Sequence, residues 1–172
     1  MKVDNKETFP RTRIVYYDFP ARRDMPPVRL TWYDGGLLPP RPEELGPDEE
    51  MSDGGSGIII VGDKAKLLCG TYGGNPRILP KSYNDAYPRP PKTLPRIEGS
   101  HEQNWIRACK GGEPACSNFD YSGPMTDAVV MGNLAMRYPH KKLMWDGENM
   151  RMTNFPEAND YVRMHYRSGW EL

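Results

Sequence analysis

Thr12–Phe19 reads TRIVYYDF and Val28–Tyr33 reads VRLTWY, and these two stretches decide the fold class. In the first, Val15, Tyr17 and Phe19 fall on one face, and Arg13 joins them at the rim. In the second, Val28, Leu30 and Trp32 alternate with Arg29, Thr31 and Tyr33. Period-two alternation of β-branched and aromatic residues with polar ones marks half-buried strands. The link from Pro20 to Pro27 holds three prolines and is too short for a crossover helix, so an antiparallel pair is expected.

Working outward, Gly57–Cys69 reads as a hairpin. The run Ile58, Ile59, Ile60, Val61 is followed by the turn residues Gly62 and Asp63, and Lys66, Leu67, Leu68 and Cys69 return. Unbroken apolarity in the first arm predicts burial on both faces. Two long loops flank this hairpin. The 34–57 loop carries Gly35, Gly36, four prolines and an acidic cluster, and reads as a solvated excursion or as a lid over a site. The 70–99 loop is dense in proline and glycine and predicts an extended strap without a long helix.

After Gly99 the period becomes helical. Ser100 and Gln103 have capping-box spacing, and a helix is expected over His101–Lys110, stopped by Gly111 and Gly112. Trp105, Ala108 and Cys109 would share its buried face. A second helix is expected from Pro124 to Tyr138. Its stretch Ala128–Met136 is apolar nearly all round, which predicts a central buried helix ended by Pro139. Leu143–Trp145 and Met150–Thr153 read as short strands around an Asp146–Gly147 turn. A last helix is expected near Asn154, with Ala158, Tyr161, Val162 and His165 on one face.

Composition bounds the function. Among 172 residues, 23 Lys and Arg balance 23 Asp and Glu, so the basic excess of a phosphate-backbone binder is missing and nucleic acid is not an expected partner. No apolar run reaches the roughly 20 residues that span a bilayer. A soluble protein is expected, cytoplasmic or, if a parent protein carries an export signal, periplasmic. The three cysteines Cys69, Cys109 and Cys116 are too few for a disulfide framework and lack the spacing of a structural zinc site, so no metal is expected. Neither a strand-turn-helix dinucleotide fingerprint nor a P-loop nor a G-x-S-x-G elbow occurs, and no catalytic residue can be named.

The remaining polar features define a candidate substrate site. Trp32, Tyr33 and Asp34 end a strand before two glycines; an aromatic ring beside a carboxylate suits a sugar, and a core Trp with a turn-forming Asp is the plainer alternative. His101, in the first turn of its helix, is either a capping histidine or a proton-transfer group at a pocket wall. Lys110 either complements a helix C-terminus or reaches a ligand. Trp105 is a further ring on which a sugar could stack.

Four strings carry a resemblance: FPARRDMPPVRLTWYDGG (Phe19–Gly36), GSHEQNWIRACKGG (Gly99–Gly112), ACSNFDYSGPMTDAVVMGNLAMR (Ala115–Arg137) and KLMWDGENMRMTNFPEANDYVRMHYRSGWEL (Lys142–Leu172). Together they resemble the C-terminal half of a bacterial Gfo/Idh/MocA oxidoreductase. The resemblance implies a single α+β domain over 1–172, an open, mostly antiparallel sheet with helices packed on one face, and no Rossmann domain in this chain. It implies a substrate-binding and oligomerisation role in an NAD(P)-dependent sugar or polyol dehydrogenase, with NAD or NADP held by the Rossmann domain of the parent enzyme. The chain is expected to begin after the nucleotide fingerprint, the E-K-P-type lysine motif and the catalytic Asp/His helix, so no cofactor and no hydride transfer are expected of it alone. Self-association through the sheet and a sugar-like small molecule are the expected partners. A stand-alone carbohydrate-binding or interaction module is the alternative, and a hydrolase with two facing carboxylates is a third.

Overall fold

The computed structural model describes residues 8–163 and 166–170. The protein is α+β, and every strand pairing is antiparallel. Its packing divides into two units, Met1–Leu38 with Ile97–Leu172, and Pro39–Arg96, where the sequence suggested a single domain.

In the first unit, β1 (Arg13–Phe19) pairs with β2 (Val28–Asp34) in the register Arg13↔Asp34, Val15↔Trp32, Tyr17↔Leu30 and Phe19↔Val28. This is the hairpin expected from the alternation, and the prolines fall in its connection. Helix α2 (His101–Cys109) has the full capping box: the Ser100 hydroxyl accepts from the Gln103 N–H, and the Gln103 side chain accepts from the Ser100 N–H. Gly111, at φ +85, follows it where a side chain would be strained.

Helix α3 runs over Phe119–Arg137, five residues earlier than the sequence suggested. The Asn118 side chain caps it by accepting from the Tyr121 N–H at 3.3 Å. Pro124 therefore lies inside the helix rather than in its first turn, and the cap outweighs the missing proline donor. Strands β6 (Trp145–Asp146) and β7 (Arg151–Met152) pair, and a 3-10 turn over Pro156–Tyr161 stands where a final helix was expected. His165 lies outside the described residues.

Leu134, Met152 and Ala158 form the buried cluster of this unit, with Met131, Tyr138, Leu143, Trp145, Phe155 and Val162 packed around them. Asn159 ties the 3-10 turn to β7: its Oδ1 accepts from the Met152 N–H at 2.7 Å and its Nδ2 donates to the Met152 carbonyl at 3.0 Å.

The second unit contains β3 (Ile58–Val61), β4 (Lys66–Cys69) and β5 (Arg77–Leu79) in spatial order β3-β4-β5, and a short helix α1 (Lys81–Ala86). Leu45, Leu68 and Leu79 are its core, with Met51 and Ile59 against them. The 34–57 loop thus contributes Leu45 to a core instead of standing off as a solvated excursion. Arg41 anchors it by donating to the Glu49 carbonyl at 2.7 Å, and Arg77 donates to the Glu50 carbonyl. The 70–99 segment, expected to be a strap, supplies β5 and α1. Ile58, Ile60 and Val61 are exposed, because β3 is an edge strand whose outer face lacks a cover among the described residues.

Among the described residues the strands form three small antiparallel sheets, not one continuous layer. Only strands that follow one another in the chain have paired. The burial is thin. The accessible surface is 15135 Å², against about 8,600 Å² for a compact monomer of this mass and about 10,000 Å² for two separately folded units. Helix α3, read as a buried helix, has Met125, Val129 and Val130 exposed and buries only Gly132 and Leu134. Trp105 and Cys109 on α2, expected in a core, are exposed as well. No helix among the described residues is long and apolar enough to cross a membrane.

Asp53 clasps two glycine-rich turns. Its carboxylate accepts from the Thr71 N–H at 2.8 Å and occupies the space that a side chain at Gly70 would need. The Thr71 backbone N–H, then its side chain, holds the Asp53 carboxyl below the ordinary 3.8. A depressed folded-state pKa stabilises above the ordinary carboxylate range, and that contribution disappears as pH falls through the folded value. An NMR titration will therefore find the Asp53 midpoint below 3.8, and Asp53→Asn will lower the neutral-pH melting temperature of this unit while flattening its acid limb.

Candidate functional site

Period-two geometry separates the first three candidates. Trp32 and Asp34 share the face of β2 that lies beside Val15 and Arg13, while Tyr33 pairs with Ile14 on the opposite face. Trp32 and Tyr33 therefore cannot close on one ligand from the same side. Asp34 is already engaged. Its carboxylate meets the Arg13 guanidinium at 2.9 Å and accepts from the Gly35 N–H at 2.8 Å, so the turn role that the sequence offered as the plainer alternative is the one its contacts serve.

The other three candidates are on α2. His101 is its exposed first residue, next to the Ser100 cap, and Lys110 caps its C-terminus, where its backbone N–H donates to the Ile106 and Arg107 carbonyls. Trp105 is 64% exposed. The side-chain bonds of α2 run to its flanking segments. Asn104 Oδ1 accepts from the Cys116 N–H at 2.9 Å, and Arg107 donates to the Glu98 carbonyl at 2.7 Å. No hydrogen bond or ion pair among the described residues draws the six candidates into one constellation.

Trp32 lines a cleft. Arg13, Val15, Tyr17, Val129, Gly132 and Asn133 complete it, where α3 crosses the hairpin. The cleft measures about 30 Å³, room for a water and not for a sugar ring. Its tightest point is Tyr17 over Gly132, where a Cβ on Gly132 would collide with the phenol oxygen. Burial pushes the Tyr17 phenol above its ordinary 10.0, opposed by the Arg13 charge and the Gly132 backbone. Arg13 binds this site together: one guanidinium nitrogen meets Asp34 and another lies 3.1 Å from the Met136 sulfur on α3.

A larger concavity lies elsewhere in the same unit. It measures about 330 Å³ and is lined by Asn149, Met150, Arg151, Asn159, Val162 and Arg163. The sequence reading passed over these residues, because they are spread over a turn, a two-residue strand and a 3-10 turn, and so have no periodicity. The pairing of two arginines with three asparagines in NMRMTNFPEANDYVR was the available signal.

Two glycine-rich turns, one at 54–57 and one at 70–74, are joined by Asp53, whose carboxylate accepts from the Thr71 N–H. Cys69 is buried, Cys109 and Cys116 are exposed free thiols, and no group of three metal-ligating side chains occurs among the described residues. In comparisons with known proteins, no family model matches the chain and no curated protein matches it.

The Tyr17–Gly132 contact yields a sign test. Alanine in a helix interior is favoured over glycine by about 1 kcal/mol, whereas overpacking costs about 1–3 kcal/mol. Gly132→Ala will destabilise the native protein in a denaturant titration. In a Tyr17→Phe background, where the obstructing oxygen is gone, the same substitution will be neutral or stabilising.

Proposed function

We propose that this chain is the substrate-binding and oligomerisation domain of a Gfo/Idh/MocA-type NAD(P)-dependent sugar or polyol oxidoreductase, in which a separate Rossmann domain holds the nucleotide. The observation that carries the reading is the unburied apolar surface. Met125, Val129 and Val130 of helix α3 face solvent, and Leu30 and Trp32 of β2 are exposed as well. Exposed apolar patches of this extent mark surfaces that another body covers. The antiparallel hairpin with a helix against one face fits a sheet domain whose small sheets become one layer in an assembly. The four strings quoted above support the family. Hydride chemistry on this reading belongs to the nucleotide-binding partner, and this chain contributes walls, orientation and assembly contacts.

A stand-alone carbohydrate-binding module is the second reading, favoured by the exposed ring of Trp105. It differs in requiring sugar affinity centred on that ring and no assembly.

Light scattering distinguishes the two. The first reading predicts a mass of at least twice 19.6 kDa at micromolar concentration, with no NAD or NADP binding by titration calorimetry. A single-chain mass, or micromolar affinity for either nucleotide, contradicts it.

A further inference from the structure

We infer that the concavity between the β6–β7 turn and the 3-10 turn is a binding site for a small carboxylate-bearing polyol, such as a sugar acid. This site is separate from the six residues suggested by the sequence, and the inference holds whether or not the chain assembles.

The walls are held by contacts that leave selected groups free. Asp146 fixes the turn: its Oδ1 accepts from the Asn149 N–H at 3.1 Å and its Oδ2 from the Asn149 Nδ2 at 2.8 Å. Asn149 thereby donates through its backbone N–H and one Nδ2 hydrogen, and its carboxamide oxygen is left to accept from a hydroxyl. Asp146 also reaches the Arg151 Nε at 3.6 Å, which orients that side chain and leaves its terminal nitrogens unpaired with it. Asn159 is held to the Met152 backbone through both Oδ1 and Nδ2, so it sets the shape of the wall.

Arg163 is the unbalanced charge. Among the described residues it has no acidic partner. Two guanidinium groups, of Arg151 and Arg163, line the concavity, and none of its lining residues is a carboxylate, a setting that favours an anion. A guanidinium presents parallel donors that match a carboxylate in bidentate fashion. Met150 and Val162 supply apolar surface for the C–H face of a ring, and Met150 is held at φ +49, a left-handed conformation uncommon for a side chain of its kind. At about 330 Å³ the concavity is at the lower end of ligand-site volumes and admits a single ring.

The test uses the full chain with D-glucuronate, D-glucose and inorganic phosphate, by titration calorimetry and by NMR of the Asn149 and Asn159 side-chain amides. Glucuronate is expected to bind saturably, at least about tenfold tighter than glucose, and to shift the Asn149 amide. Arg163→Gln, at an exposed position where folding is insensitive, should lose about tenfold or more of that affinity, while Arg22→Gln, remote from the concavity, should retain it. Equal affinity for glucose and glucuronate, full retention by Arg163→Gln, or an unmoved Asn149 amide overturns the assignment. Phosphate binding as tight as glucuronate also overturns it, since the site would then be an unselective anion patch.

Discussion

Helix α3 meets the β1–β2 hairpin along one stripe, and the first unit depends on that contact. Gly132 removes the side chain that would hold the hairpin off, Tyr17 comes down on it, and Arg13 reaches from the strand to both Asp34 and Met136. Two residues further along the same helix from Gly132, Leu134 faces the cluster of Met152 and Ala158. The helix is therefore a two-sided spine with a small residue toward the sheet and a large one toward the C-terminal cluster. The apolar residues left over, Met125, Val129 and Val130, remain exposed among the described residues. Removing such side chains from water stabilises by about 25 cal/mol per Å², and that unspent driving force underlies the assembly reading.

Local signals in the sequence were read well where a short-range rule governs. The alternation in TRIVYYDF and VRLTWY put Val15 opposite Trp32 on one face, as the ladder does. The Ser100 and Gln103 spacing located the start of α2, and Gly62–Asp63 located the turn between β3 and β4. Signals that two rules contest were misread. Pro124 looked like a first-turn proline, but Asn118 lies six residues earlier and caps the helix there. The 34–57 loop is acidic and proline-rich, yet its Leu45 reaches a core through a packing partner, Leu68, that lies 23 positions further along the chain. Burial failed most widely. Apolar pattern reports what a residue would bury against if a partner were present, and Ile58, Ile60, Trp105 and Val129 are exposed among the described residues.

The candidate site was legible as chemistry but not as geometry. Trp32 beside Asp34 is a sugar-like pair on paper; in space Asp34 is neutralised by Arg13, and Tyr33 points to the other face. The concavity lined by two arginines instead has its wall arranged by Asp146, whose carboxylate holds Asn149 and Arg151. Its residues come from irregular backbone, where spacing carries no signal, and only coordinates bring Arg163 against the β6–β7 turn.

The central claim is that the outer apolar stripe of α3 is covered in the functional protein. Methyl NMR of Met125, Val129 and Val130 in the presence of a soluble paramagnetic agent, followed across a dilution series, tests it most directly. The account predicts methyl signals shielded at high protein concentration and increasingly broadened as dilution separates the chains. Signals equally broadened at every concentration would contradict it.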